Sequence, residues 1–146
     1  MSRVTFSGIV RGAHDVLRLA LDAAGLPTDD LDGPNRAFFG LSDEQGPIGF
    51  IGLEGDGSDR LLRSLVVVPS RRLQGHGALL VAHAEAVARL DGVERLHLLT
   101  TSVAEFFRAR GYRDRERADA PAAIVATAQF RSICPGSATY LVKDLA

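Results

Sequence analysis

Sulfur is scarce in this chain: Cys134 is the only cysteine and Met1 the only methionine among 146 residues. An intramolecular disulfide framework is therefore excluded, and a cysteine-rich zinc site cannot form within the chain. At this length a fold buries roughly two thirds of its unfolded surface and needs no covalent or metal staple. No apolar run approaches the ~20 residues of a membrane span, and residues 1–10 lack the apolar stretch of a secretory leader. Excess charge of one sign is missing too. Seventeen Lys and Arg face eighteen Asp and Glu, for a net charge of −1, which excludes a general polyanion or nucleic-acid binder. The four histidines fall at no metal-ligating spacing, so no metal site is expected. One domain spanning 1–146 and a cytoplasmic location are the expectations.

Lysine is the remaining absence. Sixteen of the seventeen basic residues are Arg, and only Lys143 is Lys. Most of this bias is compositional. Placement must identify any guanidinium that grips an anion through its planar fork.

Periodicity gives an alternating order of helices and strands without internal repeats. A helix is predicted over 10–24, stopped by Gly25 and Pro27, with an acidic turn-rich loop over 27–35. Strands are expected at 36–41 and 48–53 as a hairpin, then at 61–68. The long helix 74–90, apolar on nearly every side, reads as covered by other elements. A strand at 95–99, a helix at 104–110, a strand at 112–117, short helical turns near Pro121 and Thr127, and a strand at 138–142 complete the order. A sheet with helices on its faces follows.

Chemistry concentrates in Leu65-Val66-Val67-Val68-Pro69-Ser70-Arg71-Arg72-Leu73-Gln74-Gly75-His76-Gly77. A buried strand ends in proline, and a loop with two glycines opens a long helix. Free amides at a helix N-terminus attract an anionic group, and Arg71 or Arg72 can add a charged contact. The segment is neither a Walker loop nor the complete dinucleotide fingerprint.

Arg72-Leu73-Gln74-Gly75-His76-Gly77 after Leu65-x-Val67-x-Pro69 resembles the acyl-CoA signature of the GCN5-related N-acetyltransferases (GNAT). Ala104-Glu105-Phe106-Phe107-Arg108-Ala109-Arg110-Gly111-Tyr112 resembles the next motif of that superfamily. Gly52-Leu53-Glu54, the segment 61–67, the segment 127–138 and the early 24–31 together resemble the small arsenic-resistance-associated acetyltransferases of the ArsN type.

The resemblance implies an α/β GNAT fold. Its central sheet is mixed and mostly antiparallel, splayed between the fourth and fifth strands, with helices on both faces. It implies direct acetyl transfer from acetyl-CoA, the cosubstrate, to an amine. Leu65, Val66 and Val67 would hold the thioester arm, while Arg72, Leu73, Gln74, Gly75, His76, Gly77 and Ala78 would cradle the pyrophosphate. A backbone N–H near Val66 or Val67 would polarise the thioester oxygen. A homodimer is also implied, as is a small amine acceptor.

The proton-transfer groups are less regular. Phe107 stands where the superfamily has a tyrosine acid, which leaves thiolate protonation to water, Thr101, Ser102, Cys134 or Tyr140. Glu54 is either the general base or a solvated turn residue. Arg63, expected on the strand face of Leu65 and Val67 by simple alternation, is either a solvent-reaching arginine or a clamp on a substrate oxyanion. The expected acceptor is amino-acid-like, plausible as an arsenical or phosphinic toxic compound. Two alternatives are a peptide or protein N-acetyltransferase and a catalytically silent CoA-binding module.

Overall fold

A computed structural model describes residues 3–10, 14–72, 74–133 and 137–145. Seven strands form one sheet: β1 (Thr5–Gly8), β2 (Arg36–Asp43), β3 (Gly46–Glu54), β4 (Asp59–Val67), β5 (Arg95–Thr100), β6 (Arg113–Asp114) and β7 (Thr139–Asp144). Their spatial order is β1-β2-β3-β4-β5-β7-β6. Every pairing is antiparallel except β4 with β5. Four helices, α1 (Asp15–Ala23), α2 (His76–Leu90), α3 (Ala104–Arg108) and α4 (Ala122–Val125), pack on the two faces.

The expected α/β fold with a mixed, mostly antiparallel sheet is the one observed. On one face, Leu80, Val81, Ala84 and Ala88 of α2 pack against Ile51, Leu53, Leu62, Leu96 and Leu98. On the other, Leu17 and Leu21 of α1 meet Phe38, Phe50 and Val66, and Ile124 of α4 meets Leu61 and Tyr140. Burying a leucine of this kind stabilises a fold by roughly 1.5–3 kcal/mol, so the helices are set by their apolar stripes.

Three expectations change. The helix α2 is not enclosed: Ala82, Ala86, Arg89 and Leu90 are exposed. Alanines on its outer face made the sequence look apolar all round, although they are helix formers that tolerate solvent. The strand expected over 112–117 shrinks to Arg113–Asp114, with the fully buried Tyr112 before it and a short 3-10 turn over Arg117–Asp119 after it. The edge strand β1 has no counterpart in the sequence reading. Its burial pattern alternates too weakly to show in four residues.

Candidate functional site

The strands β4 and β5 pair only at Asp59↔Arg95, Arg60↔Leu96 and Leu61↔His97. Beyond that point they part, and residues 62–67 and 98–103 become two walls of a cleft of about 750 Å³. Residues 24–27 after α1, with Arg72, Phe107, Gln129 and Ala138, complete its lining. The facing edges at 62–67 of β4 and 98–100 of β5 therefore lack a strand partner across the gap, while each stays paired on its far side. Such a slot presents main-chain donors and acceptors to any extended chain of matching width.

The wall formed by β4 is irregular. Its register against β3 passes from Phe50↔Val66 to Gly52↔Arg63, so Ile51 faces both Ser64 and Leu65. Ser64 takes φ +60°, which costs a residue with a side chain roughly 1–3 kcal/mol and is concentrated at functional sites. This β-bulge resets the side-chain alternation. Leu62, Leu65 and Val67 face α2, whereas Leu61, Arg63 and Val66 face α1 and α4. The sequence expectation that Arg63 shares a face with Leu65 and Val67 is thereby corrected. The extra residue shifts the alternation by one.

Arg63 lies at the centre of a buried polar cluster. Its Nη1 donates to Asp30 Oδ2 at 2.6 Å and to Glu54 Oε1 at 2.8 Å, and its Nη2 donates to Asp30 Oδ1 at 2.6 Å. Nε donates to Ser64 Oγ at 3.1 Å. With its amide oriented to suit its neighbours, Gln129 Oε1 accepts from Arg63 Nε at 3.2 Å and Nη2 at 3.1 Å. Arg36 Nη2 stands 3.5 Å from both Asp30 Oδ2 and Glu54 Oε2. The Arg63 side chain is 0% exposed. Gly52 makes room for its stem and for the Phe38 ring, since a Cβ there would come within 2.7 Å of Phe38 and 3.3 Å of Arg63 Cγ. Burial works against the Asp30 carboxylate, but the Arg63 bonds and charge, with Arg36, outweigh it and hold its pKa below the usual carboxylate range. Burial likewise opposes the Arg63 cation, and its two carboxylates more than compensate.

Glu54 is thus buried and paired, not a solvated turn residue. It does not line the cleft; Arg63 stands between them in the bonding order.

Three residues after Arg72, α2 begins following Gly75, whose φ is +78°. The first-turn amides of His76, Gly77 and Ala78 have no partner within the helix, as at any helix start. Arg71 is committed elsewhere: its guanidinium makes a two-point contact with Asp43 of β2. Arg72 lines the cleft and its Nε donates to Val67 O at 3.2 Å. Gln74 and Gly75 are exposed. His76 Nδ1 lies 3.3 Å from Arg71 O. Leu73 and Cys134 fall outside the described residues.

Phe107 is buried edge-on against Phe106 and Tyr112 and borders the cleft. The Tyr112 hydroxyl donates to Glu85 Oε2 at 2.9 Å, and Glu85 also accepts from Lys143 at 3.0 Å. Tyr140 is turned away as well: its hydroxyl sits 2.7 Å from His97 Nδ1, and His97 Nε2 sits 2.7 Å from Asp59 Oδ1. Burial, with the Asp59 charge, pushes the Tyr140 pKa up to about 12, which weakens it as a proton donor. Thr101 and Ser102 do line the cleft. Sequence reasoning missed the partners of Asp30 and of His97, since both are made across more than thirty residues of chain.

Among the described residues, no group of three or more His, Cys, Asp or Glu is placed to hold a metal ion. Nor is any helix there long and apolar enough to cross a membrane.

The acetyltransferase (GNAT) domain family model matches residues 34–114, more than half the chain. No curated protein matches the sequence. Among solved structures, N-acetylglutamate synthase from Neisseria gonorrhoeae, complexed with coenzyme A and N-acetyl-glutamate, superimposes with a TM-score of 0.80 at 20% identity. The match covers 100% of this chain but only 36% of the synthase, so the chain spans about a third of that relative. An acetyltransferase of the GNAT family from Staphylococcus aureus Mu50 gives a TM-score of 0.76 at 17% identity, covering 99% of this chain and 100% of that one. An aminoglycoside 6'-N-acetyltransferase complexed with coenzyme A gives 0.71 at 19% identity, covering 97% of each. A forked sheet with a bulged fourth strand, a glycine-led helix at the fork and a family match across both make this chain a member of the GNAT acetyltransferase family.

Proposed function

We propose that the chain transfers acetyl from acetyl-CoA directly to the amine of a small amino-acid-like acceptor. The open fork between β4 and β5 carries this reading. Its slot fits the cofactor: unpaired strand edges match the amides of a pantetheine arm, and the start of α2 with Arg72 suits a pyrophosphate. Leu65, Val66 and Val67 would hold the arm, and Arg72, Leu73, Gln74, Gly75, His76, Gly77 and Ala78 the phosphates. When bound, acetyl-CoA supplies an activated acyl group.

The chain's own residues do the rest. A main-chain N–H at the bulge beside Val66 or Val67 donates to the developing oxyanion. Glu54, ion-paired with Arg63 and Arg36 behind the cleft wall, takes the amine proton through intervening water. Arg63 serves the acidic end of the acceptor. Solvent at the open cleft, with Thr101 and Ser102 on its wall, returns a proton to the leaving thiolate; Phe107 takes no part.

A cleft of about 750 Å³ suits a pantetheine arm with a small molecule beside it. The neutral acidic–basic cluster suits an acceptor that carries both charges. Similarity of segments 24–31, 52–54, 61–67 and 127–138 to ArsN-type enzymes supports an arsenical or phosphinic amino acid analogue and a role in resistance. A cytoplasmic homodimer accords with that group.

Phe107 favours a second reading, a CoA-binding module without turnover. The deciding experiment is a thiol-release screen of the purified protein with acetyl-CoA against amino acids, their analogues and a peptide panel. Release with free amino acids supports the proposal. Release with peptides alone favours peptide acetylation, and release with no amine leaves the silent module.

A further inference from the structure

The Arg63 guanidinium is filled from within the chain. Its five N–H donors are matched by Asp30 through two oxygens, by Glu54, by Ser64 and by the Gln129 amide oxygen. The two-point contact with Asp30, 2.6 Å on each arm, is the contact a free carboxylate makes with an arginine fork. Building on the transferase reading above, we infer that Arg63 is the oxyanion subsite of the acceptor and Asp30 its resident ligand. A carboxylate or phosphinate on the incoming amine replaces the Asp30 side chain.

Two observations select Asp30 as the group that leaves, and a third ties its departure to an incoming anion. First, Asp30 comes from the turn-rich loop after α1, whose residues 24–27 already line the cleft, whereas Glu54 belongs to the sheet strand β3. Second, Leu31 beside it is 1% exposed and packs with Leu17, Leu21 and Phe38. The loop backbone is thereby pinned, and exchange requires only rotation of a short side chain. Third, the cluster of Arg36, Arg63, Asp30 and Glu54 is neutral as it stands. Withdrawing Asp30 alone leaves one uncompensated positive charge among buried groups, which is strongly unfavourable. Asp30 therefore leaves when another anion arrives, and the site selects for acidic acceptors by exchange.

This occupancy reduces apparent affinity by the fraction of molecules in which Arg63 is available. Removing Asp30 should recover that factor for acids and leave amides untouched. The test is calorimetric titration in the presence of CoA, which does not turn over, using L-glutamate, L-serine and L-phenylalanine and the matching α-amides.

For Asp30→Ala and Asp30→Asn we expect the acids to bind about tenfold tighter than to the unmodified protein and the amides to change by less than about twofold. Equal shifts for acids and amides, weaker acid binding, or no acid binding at all overturns the inference. The unmodified protein gives an independent arm should neither variant fold: acids must bind more tightly than amides, and Arg63→Gln must abolish that difference. Equal affinity overturns the inference here too. Selective acid binding without thiol release from any amine would leave the subsite standing and remove the transferase reading. Thiol release that treats acids and amides alike would do the reverse.

Discussion

Gly49 on β3 faces β4, one wall of the cleft. A Cβ placed there would lie 2.5 Å from Val66 O, 2.7 Å from Leu80 Cδ1 and 3.3 Å from Val67 Cα. To restore an ordinary contact of 3.4 Å, the Val66 carbonyl must move by about 0.9 Å, from 2.5 Å. Neither neighbour yields easily: Val66 O belongs to the main chain of β4, and Leu80 of α2 is 0% exposed. Gly49→Ala should therefore cost about 3 kcal/mol, at the upper end of ordinary overpacking. In a domain of this size that corresponds to a melting temperature lowered by roughly 6–12 °C. A shift approaching an ångström also displaces the strand edge proposed to hold pantetheine, and misplacement on that scale costs up to about a hundredfold. The assays are urea and thermal unfolding followed by a CoA titration. Gly8→Ala is the matched control, since a Cβ there meets nothing within 4 Å; it should stay within about 0.5 kcal/mol of the parent. If Gly49→Ala is as stable as the Gly8 control and binds CoA normally, the described fit between β3, β4 and α2 is wrong.

Glu54→Gln should lower kcat by about a hundredfold or more while leaving the KM for acetyl-CoA near its starting value, in keeping with loss of a general base; full turnover across the pH range would end that assignment. The Asp30 carboxyl titrates below its unfolded value of about 3.9, so its pairing with Arg63 stabilises the fold above that pH. The contribution is lost as pH falls through the lower folded value. Urea midpoints of the parent and Asp30→Asn should therefore differ at neutral pH and converge in acid, and a gap that persists at low pH contradicts this. Phe107→Tyr should change kcat by less than about threefold if, as proposed, solvent protonates the thiolate. A gain of tenfold or more in steady-state turnover would show that protonation was limiting.

Much of the fold could be read from the chain. Leu17 and Leu21, or Leu80, Ala84 and Ala88, recur at helical spacing and are the residues that pack inward. The glycine-led start of α2 was equally plain, because a loop after a buried strand leaves few alternatives. What stayed hidden was made at a distance or by the backbone. Leu61-Leu62-Arg63-Ser64-Leu65-Val66-Val67 reads as an unbroken strand, and no glycine marks the left-handed residue. The bulge shows only against the register of β3, and with it the face of Arg63 changes. The acids at 29, 30 and 32 read as one solvated turn, yet Asp30 points to a guanidinium thirty-three residues away. His97 lacked any partner along the sequence and has two in space, Asp59 and Tyr140. Side-chain identity carries periodicity well; it carries neither backbone strain nor contacts between distant segments.

The brief pairing of β4 with β5 has a consequence for association. A sheet edge on the outside of a protein invites other chains to add to it. Here two such edges face each other inside a narrowing wedge, pinned at its apex where Asp59 of β4 contacts Arg95 and His97 of β5. An incoming strand would have to pass between the side chains that line the cleft, Leu65, Val67, Leu99 and Phe107 among them. The fork thus turns these edges away from the outer rim of the sheet, where strand addition between proteins takes place. Their half-satisfied main-chain groups face a slot, where the proposed cofactor arm would meet them, in place of a neighbouring chain.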